Sequence, residues 1–512
     1  MSYQNAIVLQ DLPQMKPVRV PVGETDILLF RDGEEVKAWQ ANCPHSGGPL
    51  EEGAVRDGRL ICPWHKANFS TEDGSMCEPL ALSDLKRYPV RVLNGMIQID
   101  PEPLPPLYAF SAEEETPVFV ILGAGAAGSA AAWTLRREGF RGRLVLVERE
   151  QEAPYDRTVL TKFVPAGKMK IEEVPSLLDD DFSQYVERMQ GEVEQLDTHQ
   201  RKLRFADGSI LQYDKLLIAT GGIPQRPDFD GKALFGVHVL RSIEQAATLL
   251  DEVDQTQRLV IIGNSFIGME LASALRSRDI DVQIITRDPL PFRKPFGEEL
   301  ARFFRELHEE NGVKFTEGEV ASLAGEAGKV TGVRLKDGTL VGADIVLLAT
   351  GVAPGTGFIH DLPLRDDGSL TANDHLEVAN HVWAAGDIVS FPVAEGYQRI
   401  EHFRVAEQQG RVAAKNMLEK DDVYDRVPFF WTAQFGTRYE YLGHASEWDD
   451  YRLLGSLKEK TFVALYGYQG GLLAVASCGM YTLTADLVLR MQKPMTMDEA
   501  EALVANALET EN

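Results

Sequence analysis

A chain of 512 residues is too long for one hydrophobic core and predicts three or four domains. Its 78 acidic against 52 basic residues give a net charge of −26, which repels nucleic acid and anionic lipid and sets both aside as partners. The four cysteines, Cys43, Cys62, Cys77 and Cys478, show no disulfide framework, and no apolar run is long enough to cross a bilayer. The opening Met1-Ser2-Tyr3-Gln4-Asn5 lacks the basic and apolar regions of a secretory leader, so a cytoplasmic protein without membrane insertion is expected.

Residues 1–105 alternate short apolar runs, such as Ile27-Leu28-Leu29-Phe30, with turn signals at Asp32-Gly33, Asp57-Gly58, Asp73-Gly74 and Asn94-Gly95. That pattern predicts a small all-β domain built of hairpins. Its chemistry lies in two stretches, Cys43-Pro44-His45 and Cys62-Pro63-Trp64-His65. Each supplies one thiol and one imidazole from a tight loop stiffened by proline. Two thiolates on one iron and two imidazoles on the other form the ligand set of a Rieske 2Fe-2S cluster, with Cys43, His45, Cys62 and His65 as metal ligands. A Cys2His2 zinc site has the same inventory but usually keeps its cysteines together and its histidines together. Here each half carries one of each. Cys77 reads as a small buried or surface thiol. The stretch from Glu102 to Pro117, with Pro103, Pro105, Pro106 and Glu113-Glu114-Glu115, has the composition of an exposed linker, which we place at 106–117.

A strand at Val118-Phe119-Val120-Ile121-Leu122 runs into Gly123-Ala124-Gly125-Ala126-Ala127-Gly128, then a helical run, then a strand ending in Glu148. This order of strand, G-x-G-x-x-G, helix, strand and acid is the dinucleotide-binding fingerprint. The glycines permit the turn and close approach, the helix N-terminus faces a pyrophosphate, and the carboxylate takes ribose hydroxyls. Gly123, Gly125, Ala126, Ala127, Gly128 and Glu148 are its candidate contacts. A second copy starts at Leu259, with Gly263, Ser265, Ile267 and Gly268 in the turn and Ser265 in place of the middle glycine. Its strand ends in Thr286-Arg287-Asp288. Arg287 suits a 2′-phosphate and Asp288 a ribose diol, so the coenzyme stays open as NADH or NADPH.

Two such units point to a flavin site followed by a nicotinamide site. Ala219-Thr220-Gly221-Gly222 and its echo Ala349-Thr350-Gly351 each close an apolar strand where the chain crosses between domains. Gly386-Asp387 offers a carboxylate for the ribityl hydroxyls of FAD. With these stretches the chain resembles the flavoprotein reductases with two dinucleotide-binding domains, in particular the ferredoxin reductases of oxygenase systems and the apoptosis-inducing-factor-like flavoproteins with an N-terminal Rieske domain.

The resemblance implies a multidomain fold. An all-β Rieske domain at 1–105 is followed by an α/β Rossmann-like reductase, with an FAD-binding domain at 118–237 and 355–427, an NAD(P)H-binding domain at 238–354, and a small α+β C-terminal domain at 428–512. Pro154-Tyr155-Asp156-Arg157 with Leu160-Thr161-Lys162 looks like the family's Y-D-R-x-x-L-S/T-K stretch. By that likeness Arg157 and Lys162 lie against the flavin, and Lys162 is the candidate catalytic residue. A cation there would stabilise the anionic reduced ring. His402 falls in the segment that resembles the closure of the flavin pocket, and Trp431 in the start of the C-terminal domain, as a flavin contact or as an interdomain core aromatic.

No C-x-x-C or C-x-x-x-x-C pair exists, which excludes a dithiol relay. The expected mechanism is hydride transfer from NAD(P)H to FAD, then single electrons to the cluster and on to an external acceptor, which the resemblance gives as an oxygenase component, a redox protein or a quinone. A homodimer follows from family analogy alone. Two other readings stay open: a redox-responsive NAD(P)H-sensing signalling flavoprotein, and a non-redox module with a zinc-filled N-terminal domain.

Overall fold

The computed structural model describes residues 2–78, 82–108, 110–112, 115–256, 258–394 and 396–511. Met1 and the Glu113-Glu114 pair of the expected linker lie outside the described residues.

The N-terminal segment is a stack of three antiparallel sheets. Val18–Val22, Thr25–Asp32 and Glu35–Gln40 form the first, and Gln4–Val8, Met96–Ile99 and Val90–Leu93 the second. The third runs Ala54–Arg56, Arg59–Ile61, Asn68–Ser70 and Met76–Glu78. The predicted hairpins are present. At Asn94-Gly95 both turn residues have positive φ, +50° and +74°, as a two-residue turn matched to strand twist requires. The two ligand loops follow the strands Glu35–Gln40 and Arg59–Ile61, which belong to different sheets.

The next layer is a sheet in the order Glu187–Gln190, Arg143–Glu148, Val118–Leu122, Lys215–Ile218, Val382–Ala384 and Glu377–Ala379, parallel except for the last pairing. Its central strands are buried almost end to end because helices and the small antiparallel sheets cover both faces. A second parallel sheet, Val237–His238, Ile345–Leu348, Arg258–Ile262, Asp281–Thr286 and Lys314–Glu317, repeats the design. The C-terminal segment is a five-stranded antiparallel sheet beginning with the hairpin Phe429–Gln434 and Thr437–Gly443, followed by helices Tyr481–Arg490 and Met497–Glu511.

The N-terminal segment is docked rather than loosely tethered. Its core residues Trp39, Leu60 and Phe69 belong to one apolar cluster with Ala130, Trp133 and Val405 of the flavoprotein part. Ile61 is buried in the core of the C-terminal segment. The connecting stretch is exposed at Pro105 and Pro106, as its composition predicts. It is also pinned, since Phe110 packs edge-on to Phe182 with ring centroids 5.1 Å apart and lies 6.2 Å from Trp133. Composition registers the prolines and acids and cannot show where a single phenylalanine lands.

The second parallel sheet and the C-terminal segment are joined by a buried histidine. His308, near the end of helix Arg293–Glu310, donates from Nε2 to Gln434 Oε1 at 3.0 Å, and burial pushes its pKa down to about 4. An unfolded histidine takes its proton near pH 6.5, so between that pH and about 4 the unfolded chain binds more protons than the folded one. Stability is therefore expected to fall with acidification, by about 2 kcal/mol from this group between pH 7.5 and 5. Thermal melts of wild type and His308→Gln across that range check it, since the variant should show the shallower slope.

Candidate active site

The two ligand loops are built alike. In the first, Cys43 N–H donates to Gly48 O and Gly47 N–H to Cys43 O, both at 2.8 Å. In the second, Cys62 N–H donates to Ala67 O at 2.8 Å and Lys66 N–H to Cys62 O at 3.2 Å. A Cβ on Gly48 would stand 2.8 Å from Cys62 Sγ, so the loops can approach only because that residue is glycine. His45 and His65 bring their Nδ1 atoms to 3.1 Å from one another. The Cys43 and Cys62 thiols face each other closely enough to hydrogen bond, which lowers the pKa of Cys62 to about 7 and raises that of Cys43. Among the described residues no group of three or more His, Cys, Asp or Glu converges on one ion. One thiol pair and one imidazole pair fit the ligand set of a two-iron cluster.

The first glycine turn is packed against its own strands. A Cβ on Gly123 would lie 2.3 Å from Ala219 O and one on Gly128 would lie 1.8 Å from Gly123 O. Gly125, at the start of helix Ala126–Arg137, is different: a Cβ there would meet nothing nearer than Arg157 Nη2 at 3.8 Å. That space, at a helix N-terminus, fits the pyrophosphate expected from the glycine motif. Helix Phe403–Met417 presses on the same turn through Gly410, whose Cβ would fall 2.1 Å from Ala127 O. Gln409 Oε1 accepts from Gly386 N–H at 2.8 Å and holds the Gly386-Asp387 corner. Glu148, at the end of its strand, is 7% exposed and accepts from Arg188 Nε at 2.6 Å, while burial raises its pKa. Asp387 accepts from Arg241 Nη2 at 2.6 Å, and Arg157 donates to the Arg241 carbonyl at 2.9 Å. The two crossing stretches tie to each other: Thr220 Oγ1 donates to Gly355 O, Gln225 N–H to Gly351 O, and Gly222–Pro224 pairs antiparallel with Val352–Pro354.

Lys162 Nζ lies 3.0 Å from Glu270 Oε2, and the two side chains are only 8% and 6% exposed. Glu270 also accepts from Thr161 Oγ1 at 2.5 Å and Thr432 Oγ1 at 2.8 Å. One carboxylate thus joins the segment after the first dinucleotide unit, the helix Phe266–Arg276 of the second, and the C-terminal segment. Sequence reading missed Glu270. Its signal is an acid set between Met269 and Leu271 on a helix whose buried residues are mostly apolar. Arg241 was missed as well, because nothing local marks it.

Lys162 Nζ stands 5.0 Å from the centre of the Trp431 ring. Trp431 in turn meets His65, with ring centroids 5.3 Å apart. His402, which precedes helix Phe403–Met417, stacks on Phe430 at 4.3 Å, and burial together with His444 pushes its pKa down to about 4.

A single cleft of 3180 Å³ takes in Gly125, Glu148, Lys162, Ser265, Trp431 and His65. Ala126, Ala127, Arg157, Thr220, Gly221, Ile267, Gly351, Gly386, Asp387 and His402 also line it, whereas Gly128, Gly263, Gly268, Thr286 and Arg287 do not. The second turn repeats the first in its packing: a Cβ on Gly263 would lie 2.4 Å from Ala349 O and one on Gly268 would lie 2.7 Å from Gly263 O. Ser265 Oγ donates to Ala349 O at 3.1 Å. At the strand end Thr286 Oγ1 donates to Asp288 O, and the Asp288 carboxylate is taken by Arg293 at 2.7 Å. Arg287 is exposed and makes no ion pair among the described residues.

Residues 118–410 match the family model described as pyridine nucleotide-disulphide oxidoreductase. The chain belongs to the pyridine nucleotide-disulphide oxidoreductase family. Residues 3–89 match the Rieske 2Fe-2S domain model. Apoptosis-inducing factor 3 of Mus musculus is 33% identical over 494 residues, 92% of this chain and 80% of that protein. The ferredoxin–NAD(+) reductase component of the biphenyl dioxygenase system of Paraburkholderia xenovorans (strain LB400) is 33% identical over 335 residues, 64% of this chain and 80% of its own. A solved ferredoxin reductase for the CYP199A2 system of Rhodopseudomonas palustris superposes with a TM-score of 0.69 at 26% identity, covering 74% of this chain and 96% of that one. This pyridine nucleotide-disulphide oxidoreductase is therefore an FAD- and NAD(P)H-dependent oxidoreductase with a Rieske 2Fe-2S domain. Its four cysteines, Cys43, Cys62, Cys77 and Cys478, are all free thiols, and no two are spaced as C-x-x-C or C-x-x-x-x-C. Among the described residues no helix is long and apolar enough to cross a membrane.

Proposed function

We propose that this protein oxidises NAD(P)H and delivers the electrons through its own Rieske segment to an external one-electron acceptor of an oxygenase system. The observation that carries this is the contact of His65 with Trp431, which itself lies over Lys162, so that a residue of the cluster loop and a residue of the flavin cleft share one aromatic neighbour. When bound, FAD accepts a hydride from NAD(P)H and gives up electrons singly, and the 2Fe-2S cluster carries them one at a time.

The chain's own residues bind and orient. Gly123, Gly125 and Gly128 seat a pyrophosphate at the N-terminus of helix Ala126–Arg137, and Glu148 and Asp387 hold hydroxyl groups. Lys162, kept in place by Glu270, supplies a fixed positive charge where negative charge develops on reduction. When a cluster is bound, Cys43 and Cys62 would hold one iron and His45 and His65 the other. The names of relatives from dioxygenase systems support an oxygenase-linked acceptor. Anaerobic titration with NADPH and then NADH, followed by absorbance and low-temperature EPR, tests the route. Flavin bleaching followed by a reduced-cluster signal is expected, and bleaching with an iron-loaded cluster that stays oxidised would overturn the reading.

Coenzyme choice rests on the strand end. With Asp288 occupied by Arg293, the side chain free to meet an adenosine ribose is Arg287, which favours a 2′-phosphate. Arg287→Ala is expected to lower kcat/KM for NADPH by about 10-fold or more, the worth of one hydrogen bond to a charged group, and to leave NADH unaffected. Steady-state kinetics with both coenzymes reads the difference directly.

A further inference from the structure

Lys66 follows the ligand His65 at φ +62°, in the left-handed region where glycine is the default and a β-carbon is strained. Its side chain is fully buried, at 0% exposure. A strained backbone and a buried ammonium are two separate costs, and glycine would avoid both. What the lysine gains lies outside its own segment. Its Nζ donates to Pro63 O within the loop and to Tyr481 O at 3.1 Å, and it pairs with Glu440 Oε2 at 3.0 Å, a carboxylate that is itself 0% exposed. Glu440 is steadied from the C-terminal side by Arg438 Nη2 at 2.7 Å and Thr484 Oγ1 at 2.5 Å.

Glu440 also stands directly opposite Trp431 in the register of strands Phe429–Gln434 and Thr437–Gly443. Residues paired in this way across two antiparallel strands project from the same face. Two consecutive residues of the cluster loop therefore grip one cross-strand pair: His65 meets Trp431 and Lys66 meets Glu440.

We propose that Lys66 is a positioning residue, a latch whose buried pairing with Glu440 fixes His65 against Trp431 and thereby sets the rate at which electrons pass into the Rieske segment. This rests on the electron route proposed above. At each passage one electron of the pair supplied by NAD(P)H reduces one oxidised cluster, and no bond to Lys66 forms or breaks.

The test uses the full-length, cofactor-loaded protein with Lys66→Gly, which relieves the backbone strain, and separately Glu440→Gln, which leaves the cluster loop untouched. Both variants should keep the wild-type EPR signal after chemical reduction and the wild-type rate of flavin bleaching by coenzyme. Both should show cluster reduction after flavin bleaching slowed at least 10-fold in stopped flow, with a larger radius of gyration by small-angle scattering and faster proteolysis between residues 101 and 117. Wild-type transfer rates and radii in both variants would overturn the latch. If wild type itself shows bleaching without cluster reduction, the electron route fails, and scattering alone then decides the latch, an unchanged radius overturning it.

Discussion

Alanine at Gly128 is expected to yield a protein that cannot retain flavin, whereas alanine at Gly125 should fold normally and bind FAD weakly. The two positions belong to one motif but fail for different reasons. At Gly128 the new methyl would sit 1.8 Å from the Gly123 carbonyl oxygen, inside the van der Waals distance of a backbone atom that cannot turn away. The turn must open and helix Ala126–Arg137 must move off its strand, at a cost above the about 1–3 kcal/mol typical of an added methylene. At Gly125 the nearest protein atom would be 3.8 Å away, so the protein alone tolerates the methyl and only the bound pyrophosphate would meet it. Melting temperature with the 450-to-280 nm absorbance ratio separates the outcomes. Gly128→Ala should lower both, and Gly125→Ala the ratio alone.

The second large effect is expected at Glu270. Removing this carboxylate leaves the Lys162 ammonium buried with one carbonyl acceptor, Thr158 O at 3.1 Å, and takes one hydrogen-bond acceptor from each of the hydroxyls of Thr161 and Thr432. Breaking one side of a buried pair costs about 3–5 kcal/mol, most of it from the charge left behind. Glu270→Ala should therefore lower Tm by about 3–5 °C. Lys162→Ala should cost a comparable amount, and the double variant much less than the sum, because neither uncompensated charge then remains. A double-mutant cycle by calorimetry measures the coupling, and additive losses would show that the pair is not energetically joined.

The parts of this protein that could be read from its sequence are those in which a few neighbouring residues must satisfy one geometry. The thiol-and-imidazole loops at Cys43-Pro44-His45 and Cys62-Pro63-Trp64-His65, and the glycine turns at Gly123 and Gly263, are of this kind, because a cluster or a pyrophosphate demands those side chains at that spacing. Contacts made by the fold as a whole were not legible. Glu270 reaches Lys162 and Thr432 only after three segments have packed together, and Glu440 reaches Lys66 across 374 positions only after the N-terminal and C-terminal segments have. The docking of the N-terminal segment was hidden in the same way: the prolines near residue 105 announce an exposed connection, while the anchoring is done by Phe110 and by buried pairs such as Glu78 with Arg404 at 2.6 Å. Thr286-Arg287-Asp288 stood between the two, since the Asp288 carboxylate is taken by Arg293, five residues further on, a pairing that the motif does not announce.

The packing of His65 on Trp431 has a consequence for the economy of the cell. Where reductase and carrier are separate molecules, throughput depends on their expression ratio and on ionic strength, because each delivery begins with a diffusive encounter. Here the Rieske domain is inherited with the reductase in a fixed one-to-one ratio and is docked against it, so on the proposed electron route neither variable enters the internal step. On that proposed route, what remains open to competition is the meeting with an external acceptor, and selectivity among acceptors falls to the small iron–sulfur domain.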